Sequence, residues 1–300
     1  MLRKLKILCF LVGGYKLGEI GFHSFQGLQT YYLSSSPDLQ SRYGSGSYAM
    51  ISESSTQLGQ EFSKALASNS QNLILLSLNN SELLKLHSDL QTINPKIDIK
   101  VFEIDPNAED QESYEKLYKN FEGLDIGLFI NTIDSKALAQ NFEETSLQNL
   151  KTEVLSTLLP GTVLMNHLLG HFQKRIANSC IITAGSAFGN LGGPYYSVSA
   201  GNMSFMNYLT RSLAYEVGEK VDVLLVTPGP LKREGVYGDY EGFNAEGSEV
   251  VKNSLRNLGG KKWIIGCPKQ AMLYYMMERM PKVTEKMLMM RGLMNIQANK

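Results

Sequence analysis

The sequence predicts an α/β protein built on a doubly wound parallel sheet, and two features of its patterning predict it. Short apolar runs rich in Val, Ile and Leu lie at 48–52, 72–77, 99–104, 126–130, 180–184, 221–226 and 263–266. Segments of helical periodicity separate them, at 57–68, 80–90, 109–121, 146–175 and 196–218. Continuous apolar runs mark strands buried on both faces, and their alternation with helices marks a parallel sheet covered on each side. A chain of 300 residues with 43% hydrophobic content is long enough for one large domain of this kind.

The amino-terminal stretch MLRKLKILCFLVGGYKLGEIGFHSFQGLQTYYL sets Arg3, Lys4 and Lys6 before an apolar run from Ile7 to Tyr15. That run is short of the roughly 20 residues a bilayer-crossing helix needs, and Lys16, Glu19 and His23 interrupt the residues beyond it. A hydrophobic helical extension is expected. It could span a membrane with partner helices, lie in the interface, remain attached as a basic targeting segment, or pack as an ordinary helix. The polar SSSPDLQSRYGSGS then reads as a linker. Residues 1–45 are thus expected to be a membrane-associated or partner-docking segment, and residues 46–300 the α/β domain.

Charge and cysteine usage narrow the function classes. With 29 basic and 29 acidic side chains there is no net positive field to gather nucleic acid. Cys9, Cys180 and Cys267 are far apart and odd in number, which suits a reducing compartment and offers no zinc spacing. His167 and His171 stand at helical spacing but lack the glutamate of HExxH, so no metal is expected.

The stretch YAMISESSTQLGQEF, residues 48–62, is a strand entering a helix, where a dinucleotide-binding fold places a glycine-rich turn. Here the only glycine is Gly59. Around it the chain resembles the short-chain dehydrogenase/reductase family, within it the membrane-anchored branch of 17β-hydroxysteroid dehydrogenases and very-long-chain 3-ketoacyl-CoA reductases. The likeness runs through RYGSGSYAMISESSTQLGQEFSKALA, NLILLSLNNSELLKL, GLDIGLFIN, YYSVSAGNMSFMNYLTRSLAYE and VDVLLVTPGP to VVKNSLRNLG. It implies a single Rossmann-like domain. The family pattern TGxxxGIG falls on Ser52 to Gly59, so Glu53 and Gln57 hold two glycine positions. Side chains there obstruct the pyrophosphate, and Glu53 repels it. Of Ser54, Ser55 and Thr56, any can instead cap the helix. Leu78 stands where NADP-using relatives carry an arginine. Asp105 matches the aspartate that faces adenine, and Asn131 begins the family's NNxG, whose last position is Asp134. Pro228 and Gly229 match the turn beside the nicotinamide.

In the catalytic set the resemblance assigns the proton-transferring tyrosine to Tyr196, with Tyr195 the neighbouring frame. It assigns the carbonyl-steadying serine to Ser186, with Thr183 the gap-free alternative. The lysine position is Ala200 and the asparagine position is Glu153. Both changes disfavour the phenolate, and Arg211 lies too far along the same helix to replace the lysine.

From these departures the expectation is a non-catalytic member of the family, a pseudoenzyme with no cofactor, serving as an accessory subunit of a membrane assembly. Its partners would be proteins held through the amino-terminal segment and a methionine-rich end with Met272, Met276, Met280, Met287, Met289, Met290 and Met294. A mitochondrial membrane is expected from the basic start without an acid before Glu19, with the endoplasmic reticulum membrane as the alternative. The other reading is an NAD(P)-dependent ketoreductase or hydroxysteroid dehydrogenase acting on steroids or 3-ketoacyl-CoA.

Overall fold

The computed structural model describes residues 2–77, 80–104, 110–132, 140–193, 195–232 and 244–279. Leu78, Asp105, Asp134 and the methionines from Met280 onward fall outside them. The chain divides into two compact units, Met1–Ser35 and Ser36–Lys300.

The first unit is helix α1, Leu2–Leu28, followed by a π-helical turn at Gln29–Leu33. Phe10 is 81% exposed, and Leu11, Tyr15, Leu17, Phe22 and Phe25 are exposed as well. Among the described residues no helix is long and apolar enough to cross a membrane.

The second unit carries the sheet. Strands β1 (Tyr48–Ser52), β2 (Asn72–Ser77), β3 (Ile99–Glu103), β4 (Ile126–Thr132), β5 (Ser179–Ala184), β6 (Val221–Val226) and β7 (Trp263–Ile264) run in the order β3-β2-β1-β4-β5-β6-β7. Every neighbouring pair is parallel. The predicted fold class holds. Alternate side chains feed two cores. Ala49, Ile51, Leu73, Leu75, Leu128 and Ile130 pack with Phe62, Leu66, Val250 and Val251. Met50, Ile74, Leu76, Phe129 and Ile181 pack with Leu164, Phe172 and Met206 on the other face.

Helices α3 (Gln57–Ser68), α4 (Asn80–Ile93) and α9 (Gly247–Arg256) contribute to the first core, and α6 (Leu147–Phe172) and α8 (Ser197–Glu216) to the second. The unit also holds α5 (Gln111–Lys119), α7 (Phe188–Leu191) and α10 (Pro268–Arg279). His167 on α6 stacks on Tyr118 with ring centroids 3.6 Å apart, so this half of the histidine pair is a packing group. Burial, then His171, pushes its pKa down. Cys180 and Cys267 are buried and Cys9 is exposed, all three as free thiols.

One helix lies inside the stretch read as linker. Asp38 caps α2, Leu39–Tyr43, by accepting from the backbone N–H groups of Gln40 and Ser41, and Leu39 and Tyr43 enter the first core. Arg42 donates to both carboxylate oxygens of Asp222 on β6, at 2.6 and 3.0 Å, and the Tyr43 hydroxyl donates to the same group at 2.8 Å. This ties α2 to the amino end of β6.

Burial, with Cys180 and Asp222 close by, pushes the Tyr43 phenol well above its ordinary value. A phenol raised on folding contributes stability that is whole below the unfolded value near 10 and is lost as pH climbs past it. Thermal unfolding followed by circular dichroism should therefore show a midpoint that is level from pH 7 to about 9 and falls above about 10. Tyr43→Phe should lower the midpoint at pH 8, through a loss of stability of about 1.5–3 kcal/mol for a hydrogen bond to a charged group, and flatten the alkaline fall. An unchanged alkaline limb in the variant would refute the assignment.

Candidate cofactor and active-site cleft

The strand order reverses between β1 and β4, the place where open parallel sheets bind ligands at their carboxyl edge. Ser52 ends β1 opposite Asn131 of β4, and the Ser52 hydroxyl donates to Asn131 Oδ1 at 2.8 Å. Asn131 sits where α6 passes over the sheet. There Gly161 carries no side chain, and a Cβ on it would come within 2.7 Å of the Asn131 amide. The preceding Pro160 removes one helical N–H from the same turn. Thr132 donates its hydroxyl to the carbonyl oxygens of Ser52 and Glu53 and so clamps the start of the turn to β4.

The turn itself is filled by its own groups. Glu53 has φ +47°, the left-handed region that a glycine occupies without strain. Ser54 bonds the Leu76 carbonyl through both its N–H and its hydroxyl, and Ser55 meets the Ser77 hydroxyl at 2.7 Å. Thr56 is the cap: its hydroxyl accepts from Gly59 N–H at 3.0 Å. Gly59 presses on the backbone, with a Cβ position 2.5 Å from Glu53 O and 2.7 Å from Ser54 Cα. Gln57 leans across the cleft and donates to the Lys232 carbonyl at 2.6 Å. Among the described residues, its buried Oε1 and the buried Asn131 Nδ2 have no hydrogen-bond partner.

On the far side, Pro228 and Gly229 follow β6. Gly229 N–H donates to Gln270 Oε1 at 3.0 Å, and Gln270 donates on to the Pro230 carbonyl at 2.8 Å. Gln270, 4% exposed on α10, thus braces this turn. Sequence reasoning missed it, as it missed Thr132.

Tyr196 is the N-cap residue of α8. It lines, with Tyr195, Glu153, Gln140 and Phe142, a cavity of about 10 Å³, the scale of one water. Glu153 and Tyr196 thus line one cavity, and among the described residues no lysine or arginine lines it. Tyr195 is left-handed, with φ +66°. Ala200, 6% exposed, offers only a methyl group at the position of the absent lysine, one turn above Tyr196. Arg211 is committed elsewhere, its guanidinium over the Tyr208 and Trp263 rings. Thr183 is buried in β5 and accepts from the Thr210 hydroxyl at 2.8 Å. Ser186 follows the strand and is partly exposed, its carbonyl accepting from Asn207. Among the described residues no three His, Cys, Asp or Glu side chains converge as a metal site.

A dinucleotide does not fit this cleft as it stands. The side chain of Gln57 occupies the space between the turn and the segment that follows β6, and Glu53 and Gln57 replace the two glycines that would admit a pyrophosphate.

The family model for short chain dehydrogenase matches residues 48–237, and the chain belongs to that family. It is 30% identical to a very-long-chain 3-oxoacyl-CoA reductase of Podospora anserina over 65% of this chain and 58% of that protein, so the match spans less than two thirds of this relative. Among solved structures it resembles a 7β-hydroxysteroid dehydrogenase, with TM-score 0.74 and 17% identity, covering 84% of this chain and 98% of that one. It also resembles a short chain dehydrogenase of Shigella flexneri complexed with NADP, with TM-score 0.64 and 15% identity, covering 73% and 96%.

These findings correct the functional expectation. The family and its relatives are reductases and dehydrogenases, which overturns the reading of a pseudoenzyme and of a non-catalytic accessory subunit. Reactions of reductases and dehydrogenases need an electron carrier, which overturns the expectation of no cofactor. The very-long-chain acyl group named for the fungal relative is a lipid, in keeping with membrane association; nothing among the relatives supports a mitochondrial location.

The approach of Gly59 to the turn generates a paired test. Gly59→Ala should cost about 1–3 kcal/mol, because the new methyl meets backbone that must shift. Gly170→Ala on α6, where nothing lies within 4 Å, should be neutral or gain up to about 1 kcal/mol. Urea unfolding of both variants gives the comparison, and equal stability of the two would contradict the packing role of Gly59.

Proposed function

We propose that this chain is an NAD(P)-dependent reductase of the 3-oxo group of long-chain acyl thioesters. The observation that carries the reading is the match to a very-long-chain 3-oxoacyl-CoA reductase together with Tyr196 standing at the start of α8. A phenol holds its proton at neutral pH, which is the form needed to protonate the oxygen of a carbonyl being reduced. Tyr196 is the proton donor in this reading, and Ser186, beyond the end of β5, hydrogen-bonds the same oxygen. Glu153, in the cavity with Tyr196, stands where a proton can be passed back to the phenol from solvent.

The test is oxidation of NADPH or NADH by the purified full chain in the presence of 3-oxoacyl-CoA of increasing length. Activity should rise with chain length, and Tyr196→Phe should lower kcat by about 10²–10⁴, the usual contribution of a general acid. Cofactor oxidation that no acyl length stimulates would end the proposal.

Membrane attachment through α1 belongs to the same reading, at the endoplasmic reticulum rather than a mitochondrial membrane. Exposed Phe10, Leu11 and Tyr15 beside Arg3, Lys4 and Lys6 suit an interfacial helix on anionic lipid. In flotation, the chain should rise with phosphatidylserine-containing vesicles, and Phe10→Asp with Leu11→Asp should leave it in the bottom fraction. Equal flotation of both proteins would remove α1 from the role.

A further inference from the structure

Among the described residues, one side chain bridges the cleft between the turn after β1 and the segment after β6. Gln57 begins α3 at the carboxyl end of β1, and Lys232 lies beyond β6, on the other side of β4 and β5. The amide Nε2 of Gln57 spans that gap to the Lys232 carbonyl at 2.6 Å. The acceptor is fixed in place. Lys232 N–H donates to the Ala245 carbonyl at 2.9 Å, and Ala245 N–H donates to Pro230 O at 3.0 Å. The Lys232 ammonium is turned to Glu246 at 2.9 Å. The donor end is fixed by the Thr56 cap and by Gly59 against the turn. Two backbone segments, one paired through Lys232 and Ala245 and the other packed at Gly59, are therefore joined by one side chain among the described residues.

The other end of that amide is unsettled. Gln57 Oε1 is buried and accepts no hydrogen bond among the described residues, a cost that a swing into open solvent would relieve. The closed arrangement thus holds one strong bond against one orphaned acceptor, a balance a ligand can tip.

We propose that Gln57 is a latch on the cofactor cleft: its bond to the Lys232 carbonyl keeps the pyrophosphate side closed, and the dinucleotide binds only when that bond opens. The inference rests on the reductase reading above. A ligand that binds one of two conformations has its affinity reduced by the fraction that is open. Breaking a net hydrogen bond should therefore tighten binding by roughly 2- to 12-fold.

Isothermal titration of NADPH and of NADH into the full chain, into Gln57→Leu and into Gln57→Ala tests this. Leu keeps the bulk and removes the donor, whereas Ala removes both. Melting temperature and circular dichroism establish that the variants are folded. The latch requires both variants to bind tighter than the wild type. Tightening in Gln57→Ala alone makes bulk, not the bond, the obstacle and overturns the latch. Wild type binding as tightly as both variants also overturns it, while the reductase reading stands. Absence of binding in all three proteins overturns both.

Discussion

The approach of Gly59 to the backbone of Glu53 and Ser54 is the contact from which the cleft is built. With a side chain at 59, α3 could not start so close to the end of β1, since its Cβ would lie 2.5 Å from the Glu53 oxygen. The short span forces the chain to reverse at once, and Glu53 takes the left-handed conformation that does so. Thr56 then reaches the helix N–H of Gly59, Ser54 and Ser55 drop beside β2, and Gln57 is aimed over the sheet at Lys232. Of the three glycines in such a turn, one allows the tight reversal, one lets the backbone approach the pyrophosphate and one packs the helix on the strand. The packing glycine is needed whether or not a ligand is bound. Its retention beside Glu53 and Gln57 has this physical cause.

The sheet was legible because a strand buried on both faces has no freedom in its composition. The apolar runs at 48–52, 72–77 and 221–226 coincide with β1, β2 and β6. The last run shortens to Trp263 and Ile264, which pair only with β6. Helix α9 went unread because it is short and follows a polar segment, although Val250, Val251, Ser254 and Leu255 lie on one helical face and all are buried. Helix α2 went unread because polar residues surround it. Asp38 with Leu39 and Tyr43 four apart was the available signal, a cap followed by one apolar face.

At the cleft, positions were readable and partners were not. Glu53, Gln57, Asn131, Tyr196, Ala200 and Glu153 could be placed from motif spacing, and Glu153 does share a cavity with Tyr196. Nothing in spacing joins Gln57 to Lys232 or Gln270 to Gly229, because those bonds depend on how strands far apart in the chain are brought to one edge. The same limit explains why Thr183 and Ser186 stayed open as alternatives. Burial of Thr183 against Thr210 becomes apparent only when α8 is packed on β5.

The error in reading function had a different origin, one of magnitude. An ammonium beside a phenol is worth about two to three pKa units, or roughly 3–4 kcal/mol. In a barrier that is a factor of about 10²–10³. Enzymes as a class accelerate their reactions by about 10⁶-fold or more, and catalytic sets stripped of one member keep part of their rate through the donors and binding contacts that remain. Replacement of the lysine by Ala200 is therefore, in magnitude, compatible with a slow or differently assisted proton transfer. The same arithmetic applies to Glu53. Its repulsion of a phosphate about 5 Å away is of order 3 kcal/mol at an effective dielectric of about 20, which weakens a nucleotide by about two decades without forbidding it. Neither substitution alone, nor the two added together as independent penalties, reaches the size needed to separate this chain from the reductases it resembles.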